Sequence, residues 1–177
     1  FYYRDLVKAL RAEHRCIVPD HIGMGLSSKP GDDAYTYSLE SRVNDLDALL
    51  SHCGATRNLT LVVHDWGGMI GMAWAVRHPE AIKRLVILNT GAFPLPASKS
   101  LPWSLALART PLGALLIRAF NSFSRSAARV GCKRRSLTAI ERAGYTAPYD
   151  SWANRIATLR FVQDIPLRPG DRGYDII

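Results

Sequence analysis

The residues best equipped for chemistry in this chain form one short run, Val63-His64-Asp65-Trp66-Gly67-Gly68. The run follows the apolar stretch Leu59-Thr60-Leu61-Val62-Val63 and leads into a segment of helical character that ends at His78-Pro79. A strand that turns sharply into a helix lifts the turn residue above the sheet, which is the layout of a nucleophile elbow. Glycines at 67 and 68 let the helix pack close to the strand, and the first N–H groups of that helix point at the turn residue. Here that residue is Asp65, where a serine would serve ester chemistry. A carboxylate is already ionised at neutral pH, so it attacks an sp³ carbon with no base to activate it. Attack on an alkyl halide or an epoxide gives an alkyl ester, which water can hydrolyse at the Asp carbonyl, whereas serine would be left as an unreactive ether. Asp65 therefore implies displacement at carbon; the bland alternative is a helix cap. Trp66 has a backbone N–H placed to be an oxyanion donor, and an indole N–H able to hold a departing halide or oxygen. Its bland alternative is a ring packed beneath the residues that follow the sheet. His64, pointing the other way from a strand end, reads as a buried structural histidine.

Positioning Asp65 requires a sheet and helices. Two further β-type runs flank the elbow strand, Cys16-Ile17-Val18-Pro19 before it and Arg84-Leu85-Val86-Ile87-Leu88 after it. Strands 59–63 and 84–88 are nearly continuous in apolar character, as strands buried on both faces must be. Helical patterns alternate with them. Tyr3, Leu6 and Leu10 mark a first, and Leu39, Val43, Leu46, Leu50 and Cys53 a second, with Ser38 as cap and Gly54 as stop. The order α-β-α-β-α-β predicts an α/β fold with a parallel sheet between helices. After Leu88 the period changes: Pro94, Pro96, Pro102 and Pro111 punctuate the chain and no further strand appears. Thr110-Pro111 opens a helix with Leu112, Leu115, Leu116, Phe120 and Phe123 on one side, and Tyr149, Trp152, Ile156, Leu159 and Gln163 suggest another, ended by Pro166. The expected division is a partial core over 1–93, a helical cap over 94–170, and the start of a return to the core over 171–177.

Composition excludes several classes. With 177 residues, 47% hydrophobic and 21% charged, the chain is a globular protein with room for a core. No apolar run approaches the roughly 18 residues that span a bilayer. Three cysteines, Cys16, Cys53 and Cys132, lack paired spacing, so neither a disulfide framework nor a zinc site is expected, and the chain reads as cytoplasmic and cofactor-free. The net charge of +8 is concentrated between Arg109 and Arg142, in Arg118, Arg125, Arg129, Lys133, Arg134 and Arg135. That stretch is a solvated face or a docking face for an acidic partner or anionic lipid. Nucleic acid is not expected, because no binding motif or aromatic stripe accompanies the charge.

Two motifs, Asp20-His21-Ile22-Gly23-Met24-Gly25-Leu26-Ser27 and Val62-Val63-His64-Asp65-Trp66-Gly67-Gly68, resemble the haloalkane dehalogenase branch of the α/β-hydrolase superfamily. Epoxide hydrolases share the Asp-Trp pair but usually carry glycine where this chain has Val63. Leu101-Pro102-Trp103, Asn121-Ser122-Phe123, Val130-Gly131-Cys132-Lys133 and the run from Ala147 to Arg155 resemble the cap of a dehalogenase-like subgroup. That subgroup includes the β-lactone decarboxylase of long-chain olefin biosynthesis, which turns cis-dialkyl β-lactones into cis-alkenes and carbon dioxide. The resemblance implies a hydrophobic small-molecule substrate between cap and sheet, attacked at the ring carbon or the carbonyl. It also implies association with enzymes of the same pathway.

In such a fold the triad runs nucleophile, acid, histidine along the chain. Only His78 follows Asp65, at the far end of the helix leaving the elbow, too distant to be the base. Asn89-Thr90-Gly91-Ala92-Phe93 holds no carboxylate, so the resemblance implies an acid beyond Ile177. The chain is therefore read as a fragment of an enzyme, itself inactive, with its preceding strand also missing. Strands 16–19 and 59–63 are then not expected to be hydrogen-bonded neighbours. Haloalkane hydrolysis is the nearest rival function. Epoxide hydrolysis, with Tyr145 and Tyr149 as the candidate acids, comes next, and a degenerate binding protein is the non-enzymatic alternative.

Overall fold

The structure, a computed structural model, describes residues 1–93 and 100–177. Pro94, Pro96 and the expected start of the cap at 94 lie outside the described residues. In chain order the elements are α1 Arg4–Leu10, α2 Leu39–His52, β1 Leu59–His64, α3 Trp66–Arg77, β2 Ile82–Leu88, α4 Trp103–Ala108, α5 Pro111–Phe120, α6 Ser122–Val130, α7 Ala139–Thr146 and α8 Ile156–Gln163. They form two compact units, one of Phe1–Ala34 with Trp103–Leu159, the other of Tyr35–Pro102 with Arg160–Ile177.

The second unit holds the sheet. β1 and β2 pair in parallel, in regular register from Thr60 opposite Arg84 to His64 opposite Leu88. A parallel pair needs a crossover, and α3 supplies it. α2 begins where Ser38 accepts a hydrogen bond from the Ser41 N–H at 3.1 Å, and just beyond its end Gly54 takes the left-handed conformation with φ 63°. Its apolar stripe packs against α3, and Leu39, Val43, Ile70 and Trp74 are each at most 2% exposed. α3 lies close on β1 because residue 71 is glycine: a Cβ there would sit 2.7 Å from a Val63 methyl.

Two strand expectations need correction. Cys16–Pro19 carries no ladder, because among the described residues the sheet consists of β1 and β2 alone. An extended segment becomes a strand only through a neighbour's hydrogen bonds. Accordingly it does not pair with 59–63, as expected. β2 is not buried on both faces: Leu85, Val86, Ile87 and Leu88 are 37 to 57% exposed. Its apolar pattern encodes burial, yet the described residues cover these side chains only in part.

The first unit is built on polar ties between short helices. Arg155 donates to the carbonyls of Arg118 and Ala119 at the end of α5 and to those of Tyr149 and Asp150, all at 2.7 to 2.9 Å. Asn121, left-handed at φ 54°, donates from Nδ2 to the Tyr149 carbonyl at 3.1 Å. Thr110 caps α5 by accepting from the Gly113 N–H at 3.1 Å. The apolar side expected to be the packed face of α5 is instead open, with Leu112, Leu115 and Phe120 at 50 to 61% exposed. The packed face runs through Gly113 and Ile117, since a Cβ at 113 would lie 2.0 Å from the Leu107 carbonyl oxygen. α8 is shorter than its pattern, beginning at Ile156 after 3₁₀ turns at Ala147–Tyr149 and Ala153–Arg155. α7 opens with a capping box between Thr138 and Glu141, and Glu141 also accepts from Arg135 at 2.7 and 2.8 Å.

The exposed apolar side chains of β2 have a direct consequence. The 177-residue chain on its own is expected to take up an apolar dye and self-associate, and Ile87→Lys to reduce both. A wild-type monomer by sedimentation velocity, without dye uptake, would contradict this. The Glu141 carboxyl is held well below the usual carboxylate range, first by Arg135 and then by the Thr138 N–H. A depressed carboxyl stabilises the fold above its unfolded value, about pH 4, and that contribution is lost as the pH falls. Glu141→Gln should therefore melt below the wild type at pH 6, with the gap closing toward pH 2.5; a gap that widened on acidification would refute the assignment.

Candidate active site

β1 delivers the chain to Asp65, whose backbone sits at φ 50°, ψ −128°. Residues other than glycine rarely adopt this region, and holding one there costs on the order of 1–3 kcal/mol. Two donors converge on its carbonyl oxygen. The Gly68 N–H lies at 2.9 Å and the Thr90 hydroxyl at 2.5 Å. Thr90 follows β2, so the β1–β2 register is what brings it to the elbow. Gly68 makes room for this contact, since a Cβ there would meet Thr90 Oγ1 at 1.9 Å. Gly67 has open space around it, so the close approach expected of both glycines belongs to Gly68 and, a turn later, Gly71.

The Asp65 side chain is exposed and makes no capping hydrogen bond to α3, so it does not act as the helix cap of the bland alternative. Trp66, the first residue of α3, is half-buried. Its ring meets Phe161 of α8 edge to face, with centroids 5.1 Å apart and planes at 82°. The guanidinium of Arg42, from α2, lies 3.7 Å from the Phe161 centroid and 5.0 Å from that of Trp66. Arg42 pairs with Asp164 at 2.9 Å and donates to the Tyr37 carbonyl at 3.1 Å. Burial pulls the Arg42 guanidinium down and pushes the Asp164 carboxyl up, while each partner's charge opposes the other's shift.

His64 is half-buried, less enclosed than its reading as a buried histidine implied. His78 caps the far end of α3, stacked on Trp74 with its Nε2 2.9 Å from Asp47. Twelve helical residues separate it from Asp65, about 18 Å of rise. In the other unit, the Asp20–Ser27 turn is held by the Asp20 carboxylate, which accepts from the Leu26 N–H at 2.9 Å. The Tyr149 hydroxyl accepts from the Gly25 N–H at 3.3 Å and donates to the Met24 sulfur at 3.2 Å. Tyr145 accepts from Arg4 at 3.3 Å and packs against Phe1. Among the described residues no three His, Cys, Asp or Glu side chains are grouped to hold a metal, and no helix is long and apolar enough to cross a membrane. Sequence reasoning missed Thr90 and the Arg42–Asp164 pair. A hydroxyl just past the second strand was the only trace of the former, and partners 122 residues apart left none for the latter.

Residues 1–148 match a family described as alpha/beta hydrolase fold. The chain is 61% identical to a cis-3-alkyl-4-alkyloxetan-2-one decarboxylase of Shewanella oneidensis, an alignment covering all of this chain and 56% of that protein. It is 55% identical to the protein of the same name from Xanthomonas campestris, again over the whole chain and 61% of the relative. The chain thus spans a little over half the length of these curated relatives. Among solved structures it is similar to haloalkane dehalogenase DbeA from Bradyrhizobium elkani, with a TM-score of 0.86 and 26% identity over 98% of this chain and 60% of that one.

The packing at the elbow makes Gly68→Ala informative. The added methyl forces Thr90 away from the Asp65 carbonyl, and should cost about 1–3 kcal/mol in denaturant melts. Adding Thr90→Ala should recover part of that loss, because only the Thr90 Cβ, 2.8 Å away, then remains in contact. Equal stability of Gly68→Ala and wild type would refute the account.

Proposed function

We propose, from the fact that this chain belongs to the alpha/beta hydrolase fold family, that the full-length protein converts cis-3,4-dialkyl β-lactones into cis-alkenes and carbon dioxide, with Asp65 as nucleophile. The observation that carries the reading is an exposed carboxylate on a strained elbow, free of any capping bond. The names of the relatives that share 55 to 61% of its residues support the substrate class.

The chemistry balances without water. An Asp65 oxygen bonds to the ring carbon that carries the ring oxygen, that C–O bond breaks, and the ring oxygen leaves as a carboxylate of the same molecule. The bond from the neighbouring carbon to that carboxylate then breaks as carbon dioxide departs. Its electron pair forms the alkene, and Asp65 leaves with the pair of its own C–O bond. Inversion at the first step followed by departure from opposite sides retains the cis geometry. The Trp66 backbone N–H and indole N–H serve as donors to the oxygen that becomes negative.

Haloalkane hydrolysis is the second reading, favoured by the likeness to a dehalogenase structure. It leaves an alkyl ester that water must cleave at the Asp65 carbonyl. Epoxide hydrolysis comes third: the Tyr149 O–H already donates to the Met24 sulfur, which leaves Tyr145, whose hydroxyl accepts from Arg4, as the acid. The reading divides the chain into a core over 1–93, a helical cap over 94–170 and a return from 171 to 177, and places the protein in the cytoplasm. It gives the exposed Arg125, Arg129, Lys133 and Arg134 the task of meeting acidic surfaces of enzymes in the same pathway.

In the full-length protein Asp65→Ala should lower turnover of a long-chain cis-β-lactone by roughly 10⁴-fold or more. The wild type should release carbon dioxide and cis-alkene with little halide from short haloalkanes. In ¹⁸O-water, Asp65 should gain no label during lactone turnover. Substantial activity of Asp65→Ala would remove the nucleophile assignment, and fast bromide release with labelled Asp65 would reverse the ranking of substrates.

A further inference from the structure

Arg42 is the largest side chain shut off from solvent among the described residues, at 1% exposure. Its guanidinium is fixed through two arms, one to Asp164 Oδ2 at 2.9 Å and the other to the Tyr37 carbonyl at 3.1 Å. Its Nε–H has no hydrogen-bond partner among the described residues. What the cation does have is two aromatic rings, Phe161 at 3.7 Å and Trp66 at 5.0 Å. The Asp164 side chain is only 9% exposed, so little water screens the group. As a device for stability this is poor, because a buried ion pair replaced by apolar side chains of similar volume is often neutral or better. Its position is more telling, since it rests against the residue that follows the nucleophile.

A cation close to an indole ring does two things. It resists rotation of the ring, because turning away forfeits the attraction to the π system. It also draws electron density from the ring, which strengthens the N–H as a donor to an anion. Among the described residues the Trp66 indole N–H makes no hydrogen bond.

We propose that Arg42 is a positioning residue for the reaction at Asp65: held by Asp164 and the Tyr37 carbonyl, it clamps the Trp66 indole and strengthens its N–H toward the anionic oxygen that leaves. This rests on the reading of Trp66 given above, and the test separates the two. It uses the full-length protein as wild type, Trp66→Phe, Arg42→Lys, and the double variant Arg42→Met with Asp164→Leu, which removes both charges together. Each is assayed for thermal melting, for kcat and KM on a long-chain cis-β-lactone, and for saturable quenching of tryptophan fluorescence by bromide.

The wild type should show a bromide quench that Trp66→Phe abolishes. The double variant should fold cooperatively yet lose about 10- to 100-fold in kcat with KM within about threefold, the split expected of an interaction made in the transition state. Its bromide affinity should fall about tenfold, the scale of a desolvated cation–π contact. Arg42→Lys keeps a charge but not the planar fork, and should fall between wild type and double variant. A folded double variant with wild-type kcat and quench, beside an impaired Trp66→Phe, overturns the role of Arg42 alone. An unimpaired Trp66→Phe, or no quench in the wild type, overturns the donor role of Trp66 and the proposal with it. Should the double variant fail to fold, wild-type kcat and quench in Arg42→Lys overturns the clamp.

Discussion

An aspartate at φ 50° persists only while the strand before it and the helix after it are both pinned. In this protein the pinning is a chain of contacts. β2 pairs with β1 in a register that carries Thr90 to the Asp65 carbonyl, and Gly68 leaves room for that hydroxyl. Gly71 lets α3 settle on Val63, and the α2–α3 core of Leu39, Val43, Ile70 and Trp74 keeps it there. The cost of the elbow, on the order of 1–3 kcal/mol, is small beside the burial of these side chains at about 1.5–3 kcal/mol each. The strain is therefore local and sustainable, and it ends in an exposed carboxylate.

Directly behind the elbow lies the opposite situation, a charge with almost no access to water. Taking Arg42 and Asp164 out of solvent costs several kcal/mol for each ion, and the buried Nε–H without a partner adds about 1–3 kcal/mol. Mutual attraction, the Tyr37 carbonyl and the two rings offset this. The arrangement couples α2, α8 and the first residue of α3, so a disturbance at any one of them reaches Trp66.

Elsewhere the described residues leave apolar surface open. β2 and the Leu112–Phe120 side of α5 carry patterns that encode burial, and both are substantially exposed. The hydrophobic pattern records what a segment is meant to meet, while exposure records what it does meet among the described residues. Where the two agree, as along α2, the local structure follows the pattern closely.

Local rules were sufficient wherever cause and effect lie within a few residues. The Ser38 and Thr110 caps, the Gly54 stop, the span of α3 and the strand-turn-helix at Asp65 are all legible in the sequence, because hydrogen bonds three or four residues apart and apolar periodicity determine them. The parallel pairing of 59–63 with 84–88 was legible as well, since two apolar strands joined by a helix have little alternative. Cys16–Pro19 was misread because β-type residues state a preference that only a neighbouring strand can fulfil. Thr90 on the Asp65 carbonyl, and Arg42 between Asp164, Phe161 and Trp66, were decided by tertiary structure alone. Contacts 25 and 122 residues apart leave no periodicity or spacing to read. The β1–β2 register delivers Thr90 to the elbow, and Arg42 meets Asp164, Phe161 and Trp66 only once the chain has folded segments distant in sequence onto one another.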